Sequence, residues 1–427
     1  MKRKKYVLVG SGGRSRMFYQ ALTKDYRETS ELSAICDVNQ VRMDFTNNAI
    51  KEMGGIPAKT YKAEDFDKMI ATEKPDIVIV TTIDRLHHSY IVRSMELGCD
   101  VISEKPMTID EVKCQEILDT IKKTGKELRV TFNYRYSPVA TKVRELIMNG
   151  EIGNVTSVHF EWLLNTSHGA DYYRRWHRDK RNSGGLMVHK STHHFDLVNF
   201  WLGTTPVTVF GMGDLKFYGK ANAEARGVMD FYYRSTNDPK AKNCKFALDL
   251  NENENLKGLY LNAQKEDGYL RDQSVFGDGI NIEDTMGVMV RYKNNAIMTY
   301  SLNSYLPREG FNVSINGDQG RIDVEVRENV YVNAAGKSED EGAVEFKKIT
   351  LQKLFEKEQD IEIAEGVGGH GGGDVVMLND IFGEPSDDPF KQAASHVDGA
   401  MSIMTGIAAN KSFATGLPVN VDSLIKL

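Results

Sequence analysis

The sequence predicts two tandem units, an α/β unit on a parallel sheet followed by an α+β unit on a large, mostly antiparallel open sheet. Three observations carry this. The chain has 427 residues, more than one hydrophobic core usually serves. Its first part alternates short β-rich runs with amphipathic stretches, and alternation of this length points to parallel strands joined by helical crossovers. Beyond Pro138 the rhythm changes to longer strands separated by turns, which suits antiparallel pairing.

The elements follow in order. Strands are expected at Tyr6–Val9, Glu31–Cys36, Asp76–Val80, Asp100–Ser103 and Glu127–Phe132, with helices between them such as the one carrying Ser89 to Leu97. Apolar residues three and four apart mark those helices. A helix (139–148) and a strand (155–163) then lead to a basic aromatic loop and an apolar helix from about Gly185 to Leu202. From Pro206 to Val332 the chain reads as strands, among them 285–292, 296–303 and 312–316, and helices return at 374–382 and 390–410. The polar segments 235–257 and 334–346 read as surface insertions.

Composition narrows the class. Hydrophobic residues at 41% and charged residues at 27% exclude a disordered, collagen-like or coiled-coil chain. No run approaches the roughly 18 apolar residues of a membrane span. Basic residues number 54 against 60 acidic, a net charge of −6, and they are dispersed, so no nucleic-acid partner is expected. The basic start, Met1 to Lys5, precedes an apolar run too short for a signal sequence and reads as charge ahead of the first strand. Cys36, Cys99, Cys114 and Cys244 have no metal or redox spacing; scattered thiols fit a soluble protein of the reducing cytoplasm.

The first chemical signal is Gly10-Ser-Gly12-Gly13-Arg14-Ser15, between a strand and a helix. Gly10 permits a tight turn, and Gly12 lets backbone approach a pyrophosphate at the helix N-terminus. Ser15 stands where a third glycine is usual. Asp37, at the end of the second strand, is placed to accept hydrogen bonds from an adenosine ribose. The plainer reading is a strand-end turn, but strand, glycine turn, helix, strand and acid in sequence favour a dinucleotide-binding Rossmann unit over residues 1–133. A carboxylate at Asp37 repels a 2′-phosphate and so favours NAD over NADP, with Arg42 as the counterweight.

Further motifs are Thr81-Thr82-Ile-Asp-Arg-Leu-His87, Val101-Ile-Ser-Glu104-Lys105-Pro106, Asn133-Tyr134-Arg135-Tyr-Ser-Pro138, Gly184-Gly185 with His193-His-Phe-Asp196, and the run from Gly406 to Pro418. Together with the glycine turn they resemble the glucose–fructose oxidoreductase / inositol dehydrogenase / rhizopine catabolism family over most of the chain. The resemblance implies nicotinamide chemistry on a sugar or polyol, with Arg14, Thr82, His87 and Glu104 beside the cofactor and residues 134–427 forming a substrate-binding and oligomerisation unit. It places Lys105 beside the nicotinamide and the substrate hydroxyl, where an ammonium can stabilise a developing alkoxide. The alternative for Lys105 is an exposed loop lysine.

The segment Gly184 to Asp196 departs from the family. Many relatives carry Asp-x-x-x-His there; this chain keeps His193 in the position of the general base but has His189 where the aspartate is expected. Residues four apart share a helix face, so both imidazoles are expected at the cofactor, and an aspartate at 189 should be tolerated if His189 only orients its partner. Lys190 lies about 100° further round a helix and is expected to miss that point. His189 and His193 have metal-compatible spacing, but His168, His177 and His370 are third ligands by residue type only, and no metal is expected. His194 and Asp196 read as structural. Tyr134, Arg135, Trp176, His177 and His370 are the substrate-side candidates; for the basic aromatic stretch 171–178, carbohydrate binding and a solvated loop over packed aromatics stand about even.

The expected function is oxidation of a secondary hydroxyl of a sugar, glycoside or cyclitol with NAD. Alternatives are a redox-assisted glycosidase that recycles bound NAD, and a non-catalytic sugar or nucleotide sensor. A homodimer or homotetramer through the C-terminal sheet is expected from the resemblance.

Overall fold

The computed structural model describes residues 3–336, 340–384 and 387–427. The readings of Met1 and Lys2 as charge ahead of the first strand, and of 337–339 as part of an insertion, fall outside the described residues.

Six parallel strands form the first sheet: β1 (Lys4–Val9), β2 (Ser30–Asp37), β3 (Lys59–Lys62), β4 (Ile77–Val80), β5 (Asp100–Ser103) and β6 (Leu128–Val130), in the order β3-β2-β1-β4-β5-β6. β3 was not foreseen; its four residues are Lys, Thr, Tyr and Lys, too polar for a buried-strand signal. The order reverses between β1 and β4, and the carboxyl ends of such strands flank a ligand crevice.

Nine strands make the second sheet: β7 (Val155–Asn165), β8 (Pro206–Asp214), β9 (Thr285–Tyr292), β10 (Ile297–Leu306), β11 (Glu309–Gly317), β12 (Gly320–Glu328), β13 (Val344–Lys353), β14 (Gln359–Asp360) and β15 (Val419–Asn420). Their order is β14-β13-β12-β11-β7-β10-β9-β8-β15, antiparallel except for the central pair β7 and β10. Alternation sets the two faces: Met286, Val288, Val290 and Tyr292 of β9 point inward, under the helices Thr192–Leu202 and His396–Thr415.

Four expectations need correction. The apolar helix from 185 to 202 is two helices, Leu186–His189 and Thr192–Leu202, joined through Lys190 and Ser191. The basic aromatic loop is instead the helix Thr166–Arg174 and a single turn Trp176–Arg178. Between β8 and β9 there is no named strand; the chain runs through short helices and turns. Part of this excursion, around Leu250, Leu256, Leu259 and Tyr260, has its own small core and folds back over the first unit, so 235–257 is no mere surface insertion.

The chain also returns to the first unit near its end. Met377 and Phe382 of the helix Gly373–Phe382 are buried in one of the cores flanking the parallel sheet, beside Tyr6 and Phe18. Phe382 meets the Tyr6 ring edge-on at 5.2 Å. Burying each such side chain is worth about 1.5–3 kcal/mol.

Candidate active site

At the end of β1 the backbone of Gly10 takes φ +93°, and a Cβ there would lie 2.7 Å from the Thr81 carbonyl group. Only glycine allows that turn. Asp37 ends β2 alongside it, accepting from the Ser11 amide (2.6 Å) and hydroxyl (2.8 Å). These residues open one end of a cavity of about 550 Å³ that runs between the two units. Gly12, Gly13 and Arg14 line the same end, and the Gly12 and Arg14 amides donate to no group among the described residues. Free amides, a glycine cradle and a carboxylate at the strand end fit the pyrophosphate and ribose of a dinucleotide.

The excursion covers this end. Gly13 donates its amide to Tyr260 Oη (3.1 Å), and a Cβ on Gly13 would strike Ala334 at 2.7 Å. Arg42 gives Nε to the Leu259 carbonyl (3.2 Å) and Nη2 to Asp267 (2.5 Å). Asn39 Nδ2 donates to the Ala263 carbonyl (2.9 Å), and Glu266 accepts from the Gln40 amide (2.6 Å) and Lys62 (3.1 Å). The result is a clasp of residues 257–267 across the adenosine end.

Further along the cavity, Thr82 and His87 sit beside Glu104 and Lys105. His87 joins the two motifs, its ring nitrogens 2.8 Å from the Pro106 carbonyl and 3.1 Å from that of Thr82. Glu104 accepts from Arg14 Nε (2.9 Å). The Lys105 ammonium donates to the His189 carbonyl (3.1 Å). Burial, reinforced by the field of Lys190, pushes its pKa down to about 8.

Both His189 and His193 reach the cavity, though on separate helices. Burial, then the charges of Lys105 and Lys190, hold His193 far below the usual imidazole range. Its ring is neutral at neutral pH, with Nδ1 making no hydrogen bond among the described residues, so it can accept a proton. His189 pairs through Nδ1 with Asp84 Oδ2 at 2.6 Å. Burial raises the Asp84 carboxyl and lowers the His189 imidazole, so one proton held between them orients the ring. The carboxylate absent from position 189 is thus supplied by Asp84, from the other unit. Among the described residues no three His, Cys, Asp or Glu side chains converge as a metal-binding set.

On the substrate side, Tyr134, Trp176, His177 and His370 all line the cavity. Trp176 stacks on His177 at 3.5 Å between centroids, and His177 meets His189 edge-on at 4.2 Å. His370 is hydrogen-bonded to Asp374 (2.9 Å). Arg135 does not belong with them. It is 2% exposed and binds Asp196 through two hydrogen bonds (2.7 and 2.6 Å) and Asp398 through one (2.9 Å), because the turn Asn133–Tyr136 points it into the core. Arg174, Arg175 and Arg271 converge on Asp171, so only part of the 171–178 stretch faces the cavity. His194 stacks on Trp162 at 4.3 Å, within the core.

Lys190 corrects a second expectation. The break after His189 turns it into the cavity instead of away from it. Asp84, Tyr260 and Asp267 were also missed. Asp84 stood inside a recognised motif, whereas nothing local marks residues 257–267 as partners of Arg42.

Such a site defines a nicotinamide-dependent oxidoreductase. The comparisons agree: the description "Oxidoreductase family, NAD-binding Rossmann fold" matches residues 4–132 and "Oxidoreductase family, C-terminal alpha/beta domain" matches 144–421. The chain belongs to the glucose–fructose oxidoreductase / inositol dehydrogenase / rhizopine catabolism family. It is 34% identical to the YteT protein of Bacillus subtilis over 99% of both chains. It is 27% identical to the D-glucoside 3-dehydrogenase of Escherichia coli over 42% of this chain and 48% of that one. An Agrobacterium radiobacter oxidoreductase, solved with NAD+, L-tartaric acid and magnesium, shares the fold with TM-score 0.64 at 15% identity, covering 99% of this chain and 100% of that one. No helix among the described residues is long and apolar enough to cross a membrane.

Proposed function

We propose that this enzyme oxidises a secondary hydroxyl of a sugar, glycoside or cyclitol with NAD. The observation that carries the reading is the placement of the Lys105 ammonium and the neutral His193 imidazole on one cavity that also holds the glycine turn and Asp37. Lys105 stabilises negative charge on the reacting oxygen, His193 takes its proton, and Asp84 fixes the ring of His189, whose carbonyl anchors Lys105. The nicotinamide, when bound, supplies the hydride acceptor. Relatives named D-glucoside 3-dehydrogenase and inositol 2-dehydrogenase support this substrate class. Incubation with NAD and a carbohydrate panel, following reduced cofactor and product masses together, tests it; no reduction with any compound overturns it.

The clasp favours a second reading, in which NAD stays bound and the hydride returns to the carbohydrate before release, as in a redox-assisted glycosidase. Asp37 and Asp267 frame the ribose position with carboxylates, and Arg42, the cation that would otherwise attract a 2′-phosphate, is already bonded to Asp267. Protein dialysed exhaustively and then denatured should therefore release NAD, not NADP, by mass spectrometry. The double change Arg42→Ala and Asp267→Ala should empty it. A nucleotide-free wild type, or one loaded with NADP, overturns this reading. Glycoside cleavage without net NADH would then choose it over simple oxidation.

A cytoplasmic location is supported by four free cysteines, three of them buried. Assembly is assigned to the outer face of the second sheet, where Met212, Met289 and Phe346 are exposed among polar residues. Light scattering at micromolar concentration should give a dimer or tetramer; a monomer removes the assignment.

A further inference from the structure

Lys190 is buried, 5% exposed, yet faces the cavity. Its Nζ rests 4.4 Å over the Trp162 ring and 5.9 Å from the centroid of Tyr134. Among the described residues no carboxylate oxygen lies within 4.0 Å of it, and it makes no hydrogen bond. Three of the four guanidinium groups lining the same cavity are committed, Arg14 to Glu104 and Glu341, Arg42 to Asp267 and Arg175 to Asp171; the fourth, Arg85, is exposed. Glu328, a carboxylate whose field reaches Lys190, accepts instead from Tyr134 Oη at 3.0 and 3.1 Å, and burial keeps its carboxyl above the usual range. The Lys190 ammonium thus keeps hydrogen-bond donors that no protein carboxylate engages, and an anion arriving with the substrate can take them.

We propose that Lys190 is the anion-recognition group of the site and that the substrate is a sugar acid, a uronic acid or uronide whose carboxylate pairs with its ammonium. This rests on the oxidoreductase reading of the same cavity. Lys190 follows the residue whose carbonyl holds Lys105, so one sugar ring can place its carboxylate on Lys190 and a ring hydroxyl between Lys105 and His193. A single ammonium backed by an indole face suits a monoanion; a phosphate ester would call for more donors.

The test uses the holoenzyme and matched pairs: methyl glucoside with methyl glucuronide, methyl galactoside with methyl galacturonide, and glucose 6-phosphate as the competing anion. Formation of reduced nicotinamide and calorimetric binding are both read. The wild type should favour a uronide over its neutral partner by about thirtyfold or more, the scale of one charge-assisted contact. Lys190→Met should collapse that ratio towards one, mainly through KM, and Lys190→Arg should retain most of it. Equal or better use of the neutral partner, preference for the phosphate, or an unchanged ratio in Lys190→Met overturns the proposal. If no compound reduces the cofactor, the net-oxidation reading fails, and uronide binding that is lost in Lys190→Met still upholds the subsite; absence of any uronide preference in binding overturns it. Should Lys190→Met not fold, the wild-type ratio and the Lys190→Arg variant decide.

Discussion

Replacing Lys105 by alanine or His193 by asparagine is expected to lower turnover at least about a hundredfold, the usual scale of acid–base assistance. NAD affinity should stay within about threefold, since pyrophosphate and ribose contacts lie at the glycine turn and Asp37. The two groups also predict the pH profile. His193 is already neutral well below its ordinary range, so it imposes no limit near neutrality. Lys105, pushed down to about 8, stabilises an alkoxide only while protonated, so oxidation should fall as pH rises through about 8. Lys105→Arg should move that alkaline limb upward, because a guanidinium stays charged. Steady-state kinetics from pH 6 to 10 with cofactor titrations would show all of this; intact turnover in both Lys105→Ala and His193→Asn would sink the assignment.

Restoring the family's aspartate at position 189 should be harmful here. The side chain of His189 sits 2.6 Å from Asp84, so His189→Asp sets two carboxyl groups against each other in a buried site. The expected cost is about 1–3 kcal/mol, seen as a lower melting temperature, together with at least about a tenfold loss of turnover as the Lys105 anchor shifts. Adding Asp84→Asn gives the new carboxylate a donor and should recover most of both losses. A double-mutant cycle on stability and kcat reads this coupling; additive effects would show that the pair does not act as a unit.

That expectation reverses what the sequence suggests on its own, and the reason is physical. An Asp-x-x-x-His pattern is local, and its absence is visible in the chain, whereas the carboxylate that replaces it arrives from the crossover after β4. The same limit applied to Arg135, whose sequence neighbour Tyr134 is aromatic and cavity-facing but whose partners, Asp196 and Asp398, are distant. Glycine turn, Asp37, Lys105 and His193 were legible because each is fixed by a strand end or helix within a few residues. Lys190 was misplaced by treating 185–202 as one continuous helix, and periodicity cannot show a break at 190–191. Residues 235–284 carry little regular periodicity, and their clasp is built from contacts more than 200 positions apart, such as Arg42 with Asp267.

The helix Gly373–Phe382 has a consequence for modularity. Although the first sheet is complete by Val130, a fragment ending at 133 would leave Tyr6 and Phe18 without Met377 and Phe382 and Arg129 without Asp380. Such a fragment would present an apolar patch to water and be prone to self-association. The opposite core face is continuous from Val7 through Trp162 to Ile425, so the second unit cannot be cut away cleanly either. Heat or denaturant should then melt both units in one cooperative transition, and exchanging nucleotide-binding halves among relatives would require carrying residues 373–382 along with the first 133.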